Sequence, residues 1–173
     1  MILVEADVSD DWDSSIDWSG IAAHAADQAV LESAYQNLCM AAVHVEISVR
    51  LTDDAEVRAL NARFRNKDKP TNVLSFPMME HEDLEEACRV YREGELMLGD
   101  IVVAHGVCVQ EAGEKGISVA DHTAHLVVHG TLHLLGYDHE TGDDDAEAME
   151  AIERQALAAL GIADPYAVTE VDS

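Results

Sequence analysis

The chain has 173 residues, 48% apolar and only 5% aromatic, enough for one domain whose core is filled chiefly by Ala, Val, Leu, Ile and Met. Its formal charge is −25, which excludes indiscriminate binding of polyanions over the whole surface. No apolar run approaches the ~18 residues of a membrane span, and the first positions carry Glu5 and Asp7 rather than a basic leader. Cys39, Cys88 and Cys108 are odd in number and far apart, so no disulfide framework is expected. These features point to a cytoplasmic protein without a membrane partner, with a monomer favoured.

Taken in chain order, the first 20 or so residues mix acids with Ser and Trp and are expected to form an acidic, poorly ordered lead-in. A helix is predicted over Ile21–Leu38 from the spacing of Ala22, Ala25, Ala26, Ala29 and Val30. Val43–Leu51 alternates, with Val45, Ile47, Val49 and Leu51 on one side, as a half-buried strand does. Thr52 is placed to cap a helix that opens with Asp53, Asp54 and Glu56 and runs to Arg65, with Val57, Leu60 and Phe64 on its apolar face. After Pro70, a strand over Asn72–Phe76 ends at Pro77, residues 78–95 read as an acidic loop or irregular hairpin, and Leu96–Ala104 is a strand carrying Gly99 and Asp100. A helix over His105–Lys115 stops at Gly116. Ser118 caps a long one over Val119–Leu135 that leaves at Gly136, and a last helix spans about Asp144–Leu160 before Gly161. Five helices interleaved with a few strands predict an α+β fold in a single domain over residues 1–173.

Charge is unevenly distributed. Arg58, Arg63, Arg65, Lys67 and Lys69 make up half of the 10 basic residues, while the acids gather at 5–17, 80–95 and 138–153. A polyanion therefore has one local patch on which to dock, unless the run merely solvates a helix end.

The most informative stretch is HGTLHLLGYDH, residues 129–139. His129 and His133 stand one helical turn apart and lean from the same face. Gly136 lets the chain leave the helix in a left-handed conformation, and three further residues can return His139 toward the pair. Three neutral imidazoles with a vacant fourth position suit a catalytic zinc ion, or another divalent ion such as nickel. Chance supplies such a triple only about 0.02 times in a chain with this many histidines. The helix is apolar nearly all round, so histidines in it need polar partners or an ion. His125, a turn upstream, diverges from His133 by about 80° and reads as a residue behind the ligands or lining the cavity. Asp138 has two roles open to it, orienting a ligand imidazole or capping the turn. Zinc peptidases carry a general-base Glu after the first His; here that position is Gly130, which argues against peptide hydrolysis.

Together with NARFRNKDKPTNVLSFP at 61–77, this segment closely resembles the YbeY family of metal-dependent endoribonucleases, also called ribosomal RNA maturation factors. Leu98-Gly99-Asp100-Ile101 and Asp164-Pro165-Tyr166 fit the same pattern, and the likeness covers about Val43 to Tyr166. The resemblance implies a small mixed sheet with a helical layer and a zincin-like metal site on a long central helix. It also implies single-strand-specific RNA cleavage in 3′-end maturation of small-subunit ribosomal RNA and in ribosome quality control, with the ribosome or its associated proteins as partners. The family's metal ligands fall on His129, His133 and His139, and its functional arginine on Arg65. Arg65 is then expected to stabilise charge on phosphorus, and Lys67 and Lys69 to contact flanking phosphates. The general base stays open among Asp138, Asp100, a second water and a substrate oxygen. The competing readings are an assembly factor with a purely structural metal, and a hydrolase of peptides or small molecules.

Overall fold

The structure, a computed structural model, describes residues 1–40, 43–89, 94–138 and 142–166. Among them, strands β1 (Ile2–Val8), β2 (His44–Thr52), β3 (Val73–Pro77) and β4 (Glu95–Ala104) form one sheet in the order β1-β2-β4-β3. β1, β2 and β4 run parallel, and β3 lies antiparallel to β4 as an edge strand, so the sheet is mixed. The helices are α1 (Trp18–Glu32), α2 (Asp54–Arg65), α3 (His81–Arg89), α4 (His105–Lys115), α5 (Val119–Leu134) and α6 (Asp143–Ala159), with a short 3-10 turn at Gln36–Cys39. The α+β prediction holds, with six α-helices among the described residues rather than about five. None is long and apolar enough to cross a membrane.

Period-two alternation divides the core. Val45, Ile47, Val49 and Leu51 of β2 with Leu98, Ile101 and Val103 of β4 face α1, α5 and α6 in the main cluster. Leu74, Val102 and Ala104 point to the other face and meet Val57 of α2. α5 is buried nearly all round, as its apolar composition demands, and lies as the central helix.

Sequence signals placed most helix ends. Ser118 Oγ accepts from Asp121 N at 3.0 Å, capping α5. At the other end Gly136, at φ 95°, closes a Schellman turn: Gly136 N donates to His133 O at 3.0 Å and Tyr137 N to Leu132 O at 3.0 Å. The cap of α2 is Asp53, whose carboxylate accepts from Glu56 N at 2.8 Å. Thr52, the expected cap, is instead the buried last residue of β2.

Three further expectations need correcting. The acidic lead-in is built into the fold: residues 2–8 are β1, and Trp12 and Trp18 are buried edge to face at 5.0 Å. Trp12 Nε1 donates to Thr52 O at 3.1 Å, fastening this segment to the end of β2. The stretch 78–95 contains helix α3, seated through Leu84 and Ala87. Phe64, assigned to the buried face of α2, is 56% exposed.

β4 carries a bulge, since Glu46 pairs with Met97 and Ile47 with Gly99, leaving Leu98 as the extra residue. Gly99 has φ 152°, and a Cβ there would collide with the Phe76 carbonyl and the Leu134 side chain. Gly99→Ala is therefore expected to cost about 3 kcal/mol, measured by urea unfolding; a loss below ~1 kcal/mol would show that β3 and α5 yield easily at this point.

Candidate functional site

α5 presents His129 and His133 on one face, where their Nε2 atoms lie 3.0 Å apart. The opposite nitrogen of each ring is spoken for. His129 Nδ1 lies 3.2 Å from Glu153 Oε2, and His133 Nδ1 lies 2.9 Å from the Tyr137 carbonyl oxygen. A carbonyl and an ionised carboxylate only accept, so both Nδ1 atoms carry the proton. In the neutral rings both Nε2 lone pairs then point to the same space, an arrangement that a positive centre between them would relieve. The donor set therefore fits a divalent metal ion. Among the described residues no third His, Cys, Asp or Glu completes a three-ligand group, and His139 lies outside the described residues.

Glu153, on α6, was not anticipated from the sequence. It is 1% exposed and accepts three hydrogen bonds, from His125 Nε2 at 2.8 Å, His129 Nδ1 at 3.2 Å and the Tyr166 hydroxyl at 2.9 Å. Burial alone pushes its carboxyl up, but the bonds from His125 and His129 overturn this and hold it at about 2. Burial, reinforced by the Glu153 carboxylate, pushes the Tyr166 phenol up, so it stays an O–H donor. His125 thus stands behind the pair and lines a side cavity with His122 and Tyr166. The only sequence hint was a lone acid on the apolar side of the last helix.

A second buried chain of contacts adjoins this one. His122 Nε2 lies 2.8 Å from Glu111, which also accepts from Asn72 Nδ2 at 3.1 Å. Burial lowers the His122 pKa against the opposing pull of Glu111.

The histidine pair opens on a cleft of ≈ 680 Å³ bordered by β3, the turn after α5 and the loop after α2. Arg65, Lys67 and Lys69 all line it, beside His129 and His133. The Arg65 guanidinium donates to the Ser75 carbonyl at 2.9 Å, which fixes it at the edge of β3. The loop is set by Asn66 in a left-handed conformation (φ 57°) and by Asn61 Nδ2 donating to the Lys69 carbonyl at 2.9 Å. Arg58 is not in the cleft; it pairs with Asp68 at 2.8 Å. Asp138 lines the cleft, but the group that orients His133 is the neighbouring Tyr137 carbonyl. Gly130 packs against β4, where a Cβ would sit 3.0 Å from Ile101 Cγ2.

A family model described as Endoribonuclease YbeY matches residues 10–161. The chain belongs to the endoribonuclease YbeY family. A relative described as Endoribonuclease YbeY from Rhizorhabdus wittichii is 55% identical over 170 residues, covering 98% of this chain and 99% of that protein. Another of that description, from Novosphingobium aromaticivorans, is 53% identical over 97% of this chain and 98% of its own. Among solved structures, the solution structure of TM1509 from Thermotoga maritima is similar, with TM-score 0.51 and 25% identity over 96% of this chain and 99% of that one. The resemblance read from the two YbeY motifs is thereby established over nearly the whole chain.

Two outcomes follow from the buried acids. Glu153→Ala leaves three donors without an acceptor and is expected to cost about 3–5 kcal/mol, while Glu153→Gln keeps an acceptor and costs less; equal, sub-kilocalorie losses in denaturant titration would show that the site is solvated. Because the folded His122 pKa lies below its unfolded value, stability is complete above the unfolded pKa and declines as pH falls through it. His122→Gln is expected to flatten the stability profile between about pH 7.5 and 5.5 relative to the parent; an unchanged slope would assign that decline to other groups.

Proposed function

We propose that this chain is a metal-dependent, single-strand-specific endoribonuclease that acts on ribosomal RNA in the cytoplasm. On this reading it matures the 3′ end of the small-subunit RNA and serves ribosome quality control, in company with the ribosome or its associated proteins. One observation carries the reading: a pair of Nε2 lone pairs 3.0 Å apart opens into the same cleft as Arg65, Lys67 and Lys69. A metal site beside three cations suits an anionic phosphodiester.

His129 and His133 would hold one zinc ion, with His139 as the third ligand. When bound, such an ion supplies Lewis acidity toward a phosphoryl oxygen. The protein's own part is orientation and charge. Glu153 and the Tyr137 carbonyl keep both rings in the tautomer that leaves Nε2 unprotonated. Arg65 spends one N–H group on Ser75 and offers the rest of its planar fork to the scissile phosphate, where it offsets charge building in the transition state. Lys67 and Lys69 hold the flanking phosphates as point charges along the same wall. Gly130 supplies no proton-transferring side chain, which sets this site apart from the zinc peptidases.

Cleavage of a single-stranded ribosomal RNA fragment, assayed with metal analysis on the same samples, tests this. Arg65→Ala is expected to lower cleavage about 10²–10³-fold with metal content intact. His129→Ala should lose both metal and cleavage without loss of fold. Full cleavage by Arg65→Ala would remove that residue from the mechanism, and cleavage that survives chelation would overturn the metal-dependent reading.

A further inference from the structure

Asp100 belongs to a motif that the histidine cleft does not use. In β4, Ile101 faces α5, whereas Asp100 opens on the opposite side of the sheet. There it helps to form a second hollow of ≈ 380 Å³, walled by Leu60, Phe64 and Phe76 and floored by Ser48 and Val102. That volume lies in the range of small-molecule sites.

Two features of this hollow go together. Its aromatic wall is exposed and cationic: Phe64 is 56% exposed, meets Phe76 edge to face at 5.5 Å and has Arg63 over its ring at 5.1 Å. It is also continuous with the histidine cleft across the edge of β3. Ser75 and Pro77 line the cleft, Phe76 between them lines the hollow, and Arg65 both lines the cleft and lies 5.9 Å over the Phe76 ring. A strand of nucleic acid with one phosphate at Arg65 therefore has its next base within reach of the two phenylalanines. Arg50, at the rim, is already engaged with Glu56 at 3.1 Å and with Asp7 at 3.7 Å.

We propose that this hollow is a base-stacking subsite, which takes an unpaired nucleobase next to the scissile phosphate and turns its amine-bearing edge toward Asp100. The inference rests on the ribonuclease reading of the cleft and deepens it. Exposed rings beside guanidinium groups stack any unpaired base, whereas a base in a duplex must first give up its own stack and pair to enter. The subsite thus gives single-strand preference a physical cause. A carboxylate at the floor accepts from an exocyclic amine; uracil carries a carbonyl in place of that amine and offers only its ring N3–H, so cytosine, adenine or guanine is favoured over uracil there.

The test uses anisotropy of a short fluorescent single-stranded RNA, with cleavage blocked by chelator, for the whole chain and its Phe64→Leu, Phe64→Trp and Asp100→Asn variants. Leu keeps the apolar bulk of Phe64 but removes the π face. Phe64→Leu is expected to weaken binding about 5- to 150-fold, and Phe64→Trp to restore it. An abasic nucleotide at one position should erase the difference between parent and Phe64→Leu, and Asp100→Asn should erase discrimination against uracil at that position. If Phe64→Leu binds every RNA like the parent, the subsite is refuted and the ribonuclease reading of the cleft stands. If the parent neither binds the RNA here nor cleaves it once divalent metal is restored, both fail. A Phe64→Leu change that dissociates a dimer without altering RNA affinity would show the hollow to be a subunit contact and overturn the proposal.

Discussion

Two imidazole lone pairs facing each other across 3.0 Å are a strained arrangement until positive charge lies between them. Helical pitch brings the rings together, but the far side of each ring decides what they can do. Glu153 and the Tyr137 carbonyl each call for a proton on Nδ1, so either ring gives up a hydrogen bond if it turns over. Much of the fold serves that demand. α6 must pack on α5 to deliver a buried carboxylate, and the turn at Gly136 must close tightly enough to bring the Tyr137 carbonyl back over the last helical turn. The Tyr137 hydroxyl also accepts from Ala34 N at 3.0 Å, tying that turn to the end of α1.

The net charge of −25 looks hostile to RNA only when averaged over the surface. Exposed charges more than a Debye length apart, about 8 Å at physiological salt, scarcely influence one another. What matters is the local lining, where Arg65, Lys67 and Lys69 share one cleft with the histidines. The remaining cations of this run are used differently: Arg58 neutralises Asp68, and Arg63 lies over Phe64. On the proposed reading, surrounding acids confine an anionic strand to this channel by repelling it elsewhere.

Legibility in the sequence followed the range of the interactions involved. Ser118 and Gly136 bracket α5 through contacts within a few residues, and the spacing of His129 and His133 is a property of one helix, so both could be read directly. β1 could not, because its alternate residues are only half-buried and Glu5 and Asp7 occupy its exposed positions; its anchor, Trp12, bonds to a carbonyl forty residues away. α3 hides behind its acids, with only Leu84 and Ala87 showing an apolar side. Glu153 resembles every other acid of α6 until tertiary packing sets it beside His125 and His129. Phe64 has helical core spacing, yet β3 and β4 leave its ring in the open.

Gly130 shows why the resemblance to a zinc-peptidase frame ends at the histidines. On α5 this position is pressed against β4, where even a methyl group would approach the Ile101 side chain to 3.0 Å, so a larger residue there requires Ile101 to give way. The close approach that seats α5 in the core therefore favours glycine over a bulky side chain at this position. Of the alternatives, Asp100 points into the hollow on the other face of the sheet and Asp138 lines the histidine cleft. Asp138 stands in the turn after α5, directly after the residue whose carbonyl orients His133. Helix, turn and imidazole tautomer are thus coupled through consecutive residues, since the carbonyl that orients His133 and the Asp138 carboxylate belong to the same turn.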